Sequence, residues 1–347
     1  VVDDSAIVRK VFSDELGRFS DIEVVGTAPD PYVAREKLVS LEPDVMTLDV
    51  EMPRMDGITF LKKVMKYRPM PVIIVSSLTP AGGALAMEAL ESGALDVVAK
   101  PGSSYTVGEL SGQLVEKIRG AYLAKRRFES VTGLAAAPVR PRRDEDGAGR
   151  FQLSDTTDKV VAIGASTGGT EAIKAVLTRL PPDMPGVIVV QHMPAQFTKA
   201  FAQRLDSQCD LDVKEAEDND QVRAGRVLVA PGNFHMVLSR SGAFYHVKVK
   251  DGPVVCHQRP SVDVLFHSVA SVAGKNAVGV ILTGMGRDGA EGMARMKEAG
   301  GYNIAQDEES SVVFGMPKEA IRLGGVDQVL PLDRIPDALV SRFAARK

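Results

Sequence analysis

The chain has no tryptophan and only two cysteines. Cys209 and Cys256 lie far apart, with no CxxC and no Cys/His spacing. That excludes a disulfide framework and a zinc finger, and it fits a reducing, cytoplasmic compartment. An excess of one charge is missing too: 42 Lys and Arg face 45 Asp and Glu, a formal net charge of −3. No basic stripe or basic recognition helix is visible, so no nucleic-acid partner is expected. No apolar run reaches the roughly 18 residues of a membrane helix, and no signal peptide is visible, so no direct membrane insertion is expected. Histidine is rare, five in 347 residues, so each candidate general base can be weighed by name. What remains is 44% apolar and 25% charged, the profile of a soluble globular protein long enough for two domains. The first residues, "VVDDS", lack a methionine and read as the end of an apolar strand that begins before this numbering.

Composition shifts once. Residues 128–157 mix Ala, Pro, Arg, Asp and Gly without helical or strand period, which predicts an exposed linker between domains at 1–127 and 158–347. In the first domain, apolar runs at Val1–Val2, Glu23–Thr27, Val45–Leu48, Val72–Val75 and Asp96–Val98 alternate with helical patterns such as Ala6–Phe19 and Ile58–Tyr67. Five strands alternating with helices predict a parallel sheet covered on both faces. In the second, runs at Val160–Ile163, Gly186–Val190, Val227–Ala230 and Ala277–Leu282 predict a mainly parallel, doubly wound α/β sheet. Alternation between Met236 and Val255 adds an antiparallel hairpin turning near Ser241–Gly242.

Ligands of such sheets sit beyond the carboxyl ends of the strands. In the first domain those ends carry Asp3 and Asp4, then Asp49, then Ser76 and Ser77, then Lys100 and Pro101. Three carboxylates on one edge repel, so they need a cation or raised pKa values; magnesium suits such oxygen ligands. A lysine on the same edge can hold a phosphoryl oxygen, and a hydroxyl can follow it. The set describes an aspartyl-phosphate site. A lone Asp at a strand end is usually a cap or turn former, but four strand ends carrying this set together are not explained that way. These segments resemble the receiver domain of two-component response regulators, a flavodoxin-like five-stranded sheet. The resemblance makes Asp49 the phosphoacceptor and gives Mg2+ to Asp4, Asp49 and the Glu51 carbonyl. It gives Asp3 a second role, makes Ser76 the switch hydroxyl and Lys100 the phosphoryl partner, suggests a cis bond at Lys100–Pro101, and implies a histidine kinase as phosphodonor.

The second domain opens on "VVAIGASTGGTEAIKAVL", a strand, a glycine-rich turn and a helix. A phosphate-binding Walker loop needs a lysine after its last glycine; here Thr170 and Glu171 follow Gly169. The dinucleotide pattern fails because Ser166 stands where its second glycine belongs. Gly164, Ser166 and Gly168 do spell G-x-S-x-G, a turn that can expose a nucleophilic serine near backbone N–H groups. The plain alternative is a serine that caps the helix. A nucleophile needs a base and an orienting acid. His192 ends a strand in "GVIVVQHMP", on the same edge as Ser166, and His235 follows another strand as its competitor. His246 lies mid-hairpin, His267 mid-helix, and His257 follows the hairpin. For the acid, Asp288 in "ILTGMGRDGAEGM" competes with a mere helix-cap role, and Asp307 comes next. Glycines around Met285 leave room for oxyanion-binding N–H groups.

"IGASTGG", "QHMP", "RPSVDVLF", "ILTGMGRDGAEGM" and "AQDEESSVVFGMP" resemble, in order, the catalytic domain of the chemotaxis protein-glutamate methylesterases. The resemblance implies Ser166 as nucleophile, His192 as base, Asp288 as orienting acid, Met285 as a backbone oxyanion donor and Thr167 beside the nucleophile. It implies hydrolysis of glutamate γ-methyl esters, with release of methanol, and deamidation of glutamines on membrane chemoreceptors. No cofactor is expected for the hydrolysis. An unphosphorylated receiver is expected to pack over the catalytic edge and block it. Two other readings are a receiver-controlled serine esterase or amidase with a small-molecule substrate, and a receiver-linked binding module without catalysis.

Overall fold

A computed structural model describes residues 1–100, 107–131 and 158–344. In the first domain β1 (Met46–Asp49), β2 (Val72–Ser76) and β3 (Asp96–Ala99) pair in parallel in that order. Every residue of the three strands is buried, as a sheet covered on both faces requires. The helices are α1 (Ala6–Leu16), α2 (Pro31–Leu41), α3 (Gly57–Tyr67), α4 (Pro80–Glu91) and α5 (Val107–Val131). Local chemistry sets where they begin. Ser5, Asp30, Asp56 and Thr79 each cap a first turn with a side-chain oxygen, and Pro31 and Pro80 occupy first-turn positions that need no N–H donor. One face of α3 buries Ile58, Phe60, Leu61 and Val64. Each such side chain is worth roughly 1.5–3 kcal/mol when removed from water.

Of the five expected strands, Val1–Val2 shrinks to single bridges and Glu23–Thr27 does not form. Val2 pairs singly with Ala28 on one side and Leu48 on the other. The bridges still place the Ala28 segment, Val2, β1, β2 and β3 side by side. Helix α1 stops at Leu16, short of the expected Phe19, at Gly17. Helix α5 runs through Val131, so the first four residues of the expected linker belong to it. The rest of that segment and Pro101, with its suggested cis bond, lie outside the described residues.

The second domain is built on seven parallel strands. These are β4 (Val160–Ala165), β5 (Gly186–Gln191), β6 (Asp212–Glu215), β8 (Arg226–Val229), β11 (Ala277–Ile281), β12 (Tyr302–Gln306) and β13 (Gln328–Leu330), while β7 (Gln221–Val222) belongs to a separate sheet. Their order is β13-β12-β11-β4-β5-β8-β6, with β4 near the centre. The hairpin of β9 (His235–Ser241) and β10 (Phe244–Lys250) turns at Gly242, which has φ of +59°, and joins β7 in an antiparallel sheet. The expected strands form with ends shifted by a residue or two. Strands β6, β7, β12 and β13 were not expected: they are short, and three of them are only partly buried, so they carry little apolar period. Helices α6 (Gly169–Leu177), α7 (Phe197–Asp206), α8 (Val262–Val272), α9 (Ala290–Glu298), α10 (Met316–Arg322) and α11 (Ile335–Phe343) complete the domain. At the closest approach, a Cβ on Gly164 of β4 would lie 2.2 Å from Val262 of α8, so only glycine lets that helix rest on the strand.

The two domains share one apolar cluster. Helix α4 meets α7, and Met87 and Leu90 join Phe201 and Leu205 in it. Among the described residues, no helix is long and apolar enough to cross a membrane.

Candidate active site and phosphorylation site

Strand β4 ends at Ala165 opposite Gln191, the last residue of β5, so Ser166 and His192 leave neighbouring strand ends together. The His192 N–H still donates to the Ala165 carbonyl at 3.1 Å. The plain reading of Ser166 as a helix cap fails. Gly168, at φ +77°, is the N-cap of α6 and makes no side-chain cap bond. Ser166 stands two residues before it, 5% exposed. On its other side a Cβ on Gly284 would lie 2.7 Å from the Ser166 Cβ, which explains the glycine in "LTGMG".

His192 and Asp288 meet at 2.8 Å, His192 Nε2 to Asp288 Oδ2, and both are buried. That bond leaves His192 Nδ1 buried and without a hydrogen-bond partner. With the proton on Nε2, held by the carboxylate, Nδ1 carries the lone pair of a base. Asp288 caps a helix as well as holding His192, though not the helix that follows it. Its carboxylate accepts the N–H groups of Val262 (2.7 Å) and Asp263 (3.0 Å) and the Ser261 hydroxyl (2.8 Å), at the N-terminus of α8. Burial works against its charge, but His192, the Asp263 N–H and Ser261 outweigh it and hold the carboxyl below the usual range. The group therefore stays an anion, the state that orients an imidazole. Met285 follows Gly284 at the same edge, and its N–H makes no backbone hydrogen bond among the described residues.

Of the rival residues, His235, His267 and Asp307 are engaged elsewhere, while His246 also keeps a buried Nδ1 without a hydrogen-bond partner. Both ring nitrogens of His235 are taken, Nε2 by the Pro253 carbonyl and Nδ1 by the Ser261 N–H, so it ties the hairpin to α8. His246 lies on β10, and His267 on α8 bonds the Asp263 carbonyl. His257 sits in a turn at φ +62°. Asp307 accepts the N–H and hydroxyl of Ser310 and shapes a turn.

At the receiver edge Asp3, Asp4 and Asp49 offer ligand oxygens within 4.8 Å of one another. Lys100 Nζ lies 2.7 Å from Asp49 Oδ2 and 3.5 Å from Asp3 Oδ2. Burial is the main cause that pushes Asp49 up to about 6, against the pull of Lys100. Burial also raises Asp3, whose Oδ2 is buried without a hydrogen bond. Burial opposes the Lys100 charge, but Asp49, Asp3 and Asp4 outweigh it and raise its pKa. Clustered carboxylate oxygens of this kind, with Asp3 Oδ2 unpartnered, suit a hard divalent cation. Asp3 stands in one cluster with Asp4 and Asp49 at this edge. The Ser76 hydroxyl donates to the Gly82 carbonyl at 3.3 Å, and the Glu51 N–H donates to Asp49 Oδ1 at 3.0 Å.

The receiver lies directly on the serine edge. Asp96, at the start of β3, accepts the Thr167 hydroxyl at 2.8 Å and pairs with Lys117 of α5. Lys117 Nζ also reaches the His192 carbonyl at 3.5 Å, and Gln258 donates to Glu116 at 2.7 Å. Thr167, Asp96 and Lys117 are 1%, 4% and 5% exposed. A Cβ on Gly120 would lie 3.5 Å from both Thr167 Oγ1 and Met285 Cβ, so α5 rests on the turn that carries Ser166.

Residues 161–339 match the CheB methylesterase family, and residues 1–108 match the response regulator receiver domain. The chain belongs to the CheB methylesterase family. A protein-glutamate methylesterase/protein-glutamine glutaminase of Syntrophus aciditrophicus is 60% identical over 98% of this chain and 97% of its own length. One from Bdellovibrio bacteriovorus is 51% identical over 100% of this chain and 97% of its own. The crystal structure of the Thermotoga maritima CheB methylesterase catalytic domain is 43% identical, with a TM-score of 0.52, and covers 53% of this chain and 98% of that one. The expected two-domain organisation, a receiver followed by a CheB catalytic domain, is thereby shown.

Several residues of this CheB site were not singled out from the sequence. Ser261 and the α8 N-terminus, within "RPSVDVLF", hold Asp288. Asp96 and Lys117 look like ordinary strand and helix residues, and only the docking of two domains gives them a role. Gln191 and Thr283 hide in apolar strand ends.

Proposed function

We propose that this chain is a phosphorylation-regulated serine hydrolase acting on glutamate γ-methyl esters and glutamine amides of membrane chemoreceptors, in the cytoplasm. The observation that carries the reading is the His192–Asp288 pair with its orphan Nδ1 beside the strand end that bears Ser166. Ser166 Oγ attacks the γ-carbonyl while His192 Nδ1 takes its proton. Asp288 keeps the imidazole oriented and stabilises its cation. The Met285 N–H receives the oxyanion. Methanol, or ammonia from an amide, leaves with the proton from His192. Water then attacks the acyl-enzyme by the same route and frees the glutamate.

Asp49 accepts the phosphoryl group from a histidine kinase, with Lys100 holding a phosphoryl oxygen and Ser76 as the switch hydroxyl. Asp4, Asp49 and the Glu51 carbonyl would hold Mg2+, which supplies charge neutralisation for the incoming phosphate. Asp3 and Lys100 complete that edge. In the arrangement seen, the receiver covers Thr167 and Met285 and so restricts a receptor helix from the serine; phosphorylation favours its release. A small-molecule esterase reading has no observation in its favour here.

The test is methanol release from methylated receptor membranes, with and without a small phosphodonor and Mg2+. Wild type should be stimulated, Asp49→Asn should not respond, and Ser166→Ala should release none. Methanol release by Ser166→Ala at the wild-type rate would end the proposal.

A further inference from the structure

The peptide groups around Ser166 are clamped from both sides by two side chains with no part in the triad. Strands β4 and β5 stop pairing where the chain turns into "GASTGG", and the last backbone rung is the His192 N–H to the Ala165 carbonyl. The next rung is made by a side chain: Gln191 Nε2 donates to the Ser166 carbonyl at 2.9 Å. On the opposite side, β11 continues past its last paired residue, and the Ser166 N–H donates to the Thr283 carbonyl at 3.0 Å. The rung beyond that is again a side chain, the Thr283 hydroxyl to the Thr167 carbonyl at 3.0 Å. Gln191 and Thr283 are each 1% exposed.

Both side chains are tied to other parts of the site. Gln191 directly precedes His192, so its bond couples the position of Ser166 to that of the base. Its Oε1 is buried without a hydrogen-bond partner, where a Cβ on Gly169 would come within 2.2 Å. Thr283 precedes Gly284 and Met285; its N–H donates to Gln306 Oε1 at 2.8 Å, and its hydroxyl accepts the Val313 N–H at 2.9 Å. It thus joins the serine turn, the Met285 segment and the loop at Val313.

We propose that Gln191 and Thr283 are positioning residues that hold Ser166 in attacking geometry by extending the β4 ladder one rung on each side. The proposal rests on Ser166 being the nucleophile. The turn's own backbone bond, the Gly169 N–H to the Ser166 carbonyl at 2.7 Å, closes it locally, and the Ser166 N–H ties it to the Thr283 carbonyl; without the two side-chain rungs the Ser166 and Thr167 carbonyls lose their ties to the neighbouring strands, and their peptide planes are freer to rotate. A displacement of about 1 Å at a reacting atom costs up to about a hundredfold in rate.

Thr283→Val keeps the shape and removes the hydroxyl, Thr283→Ser keeps the hydroxyl, and Gln191→Leu removes the amide donor. In full-length protein activated by a phosphodonor, Thr283→Val and Gln191→Leu should lower kcat about ten- to a hundredfold with KM nearly unchanged. The loss should be uniform across pH, because the His192–Asp288 pair is untouched. Labelling of Ser166 by a serine-directed phosphonate should slow by a similar factor, and Thr283→Ser should restore most of both rates. Equal losses in Thr283→Val and Thr283→Ser, a rate within twofold of wild type in folded Thr283→Val and Gln191→Leu, or a loss that tracks only melting temperature would overturn the proposal. Should Thr283→Val fail to fold, Gln191→Leu alone decides by its kcat and labelling rate, and should it also fail to fold, the role is structural and the proposal falls. Ser166→Ala separates the two levels: full activity there removes the nucleophile assignment, whereas an inactive Ser166→Ala beside a fully active Thr283→Val removes only the present inference.

Discussion

The buried pair of Asp96 and Lys117 offers the most direct handle on the contact between the domains. In the arrangement described, Asp96 is enclosed against Thr167, and Lys117 is its only cationic partner among the described residues. Replacing Lys117 with Met leaves the carboxylate with the Thr167 hydroxyl and its own neighbour's N–H, at Val97. Breaking one side of a buried pair costs on the order of 3–5 kcal/mol, and the hydrogen bonds that remain keep the cost near the lower end. When the receiver lifts away, Asp96 meets water and the penalty largely disappears. The cost therefore falls on the closed state, and about 3 kcal/mol shifts the closed-to-open balance about a hundredfold. Basal methanol release by unphosphorylated Lys117→Met should rise at least tenfold, up to the ceiling set by phosphorylated wild type. Glu91 and Arg204 form the contrasting pair, between α4 and α7 at the exposed rim. Such pairs are worth about 0.2–1 kcal/mol, so Glu91→Gln should change basal release by about fivefold at most. The assay is the initial rate of methanol release from methylated receptor membranes without phosphodonor, with the phosphorylated ceiling measured alongside. Lys117→Met at the wild-type basal rate, beneath a much higher ceiling, would refute the reasoning. So would Glu91→Gln rising as far as Lys117→Met.

Other outcomes follow from the same geometry. His192→Gln should lower kcat by about 10⁴-fold or more with the fold retained, read by steady-state kinetics and circular dichroism. Asp288 has its folded pKa depressed, so it adds stability above the unfolded value of 3.8 that is lost as pH falls through the folded value. Asp288→Asn should then melt below wild type at pH 7, with the gap narrowing below pH 4; a gap that widens in acid contradicts the assignment. Asp49 is pushed up to about 6, so protons compete with a cation there. Mg2+ should raise the melting temperature at pH 7.5, much less at pH 5, and not at all in Asp49→Asn. Gly169→Ala would bring a Cβ to 2.2 Å from Gln191 Oε1 and 2.7 Å from Ala165 Cβ. It should destabilise the catalytic domain by about 1–3 kcal/mol in denaturant melts.

The sequence by itself determined the strand ends and what they carry. Apolar runs are read from local periodicity, and the residue that follows each run lands on the carboxyl edge of a parallel sheet. That is why the chain alone places Asp3, Asp49, Lys100, Ser166 and His192 at strand ends. Short, half-exposed strands such as β6 and β13 have no such period and were missed, and of the strand expected at Glu23–Thr27 only the adjoining Ala28 makes a bridge, to Val2. Only the tertiary structure separates His192 from His235, because both ring nitrogens of His235 are engaged while His192 Nδ1 has no hydrogen-bond partner. It showed Asp288 capping α8 while also holding His192, since helix dipole, serine hydroxyl and imidazole converge from segments distant in sequence. It also gave Asp96 and Lys117 a role, because a buried contact between domains leaves no pattern in either domain's own periodicity. Periodicity reports which face of an element is dry; which partner covers that face is a property of packing.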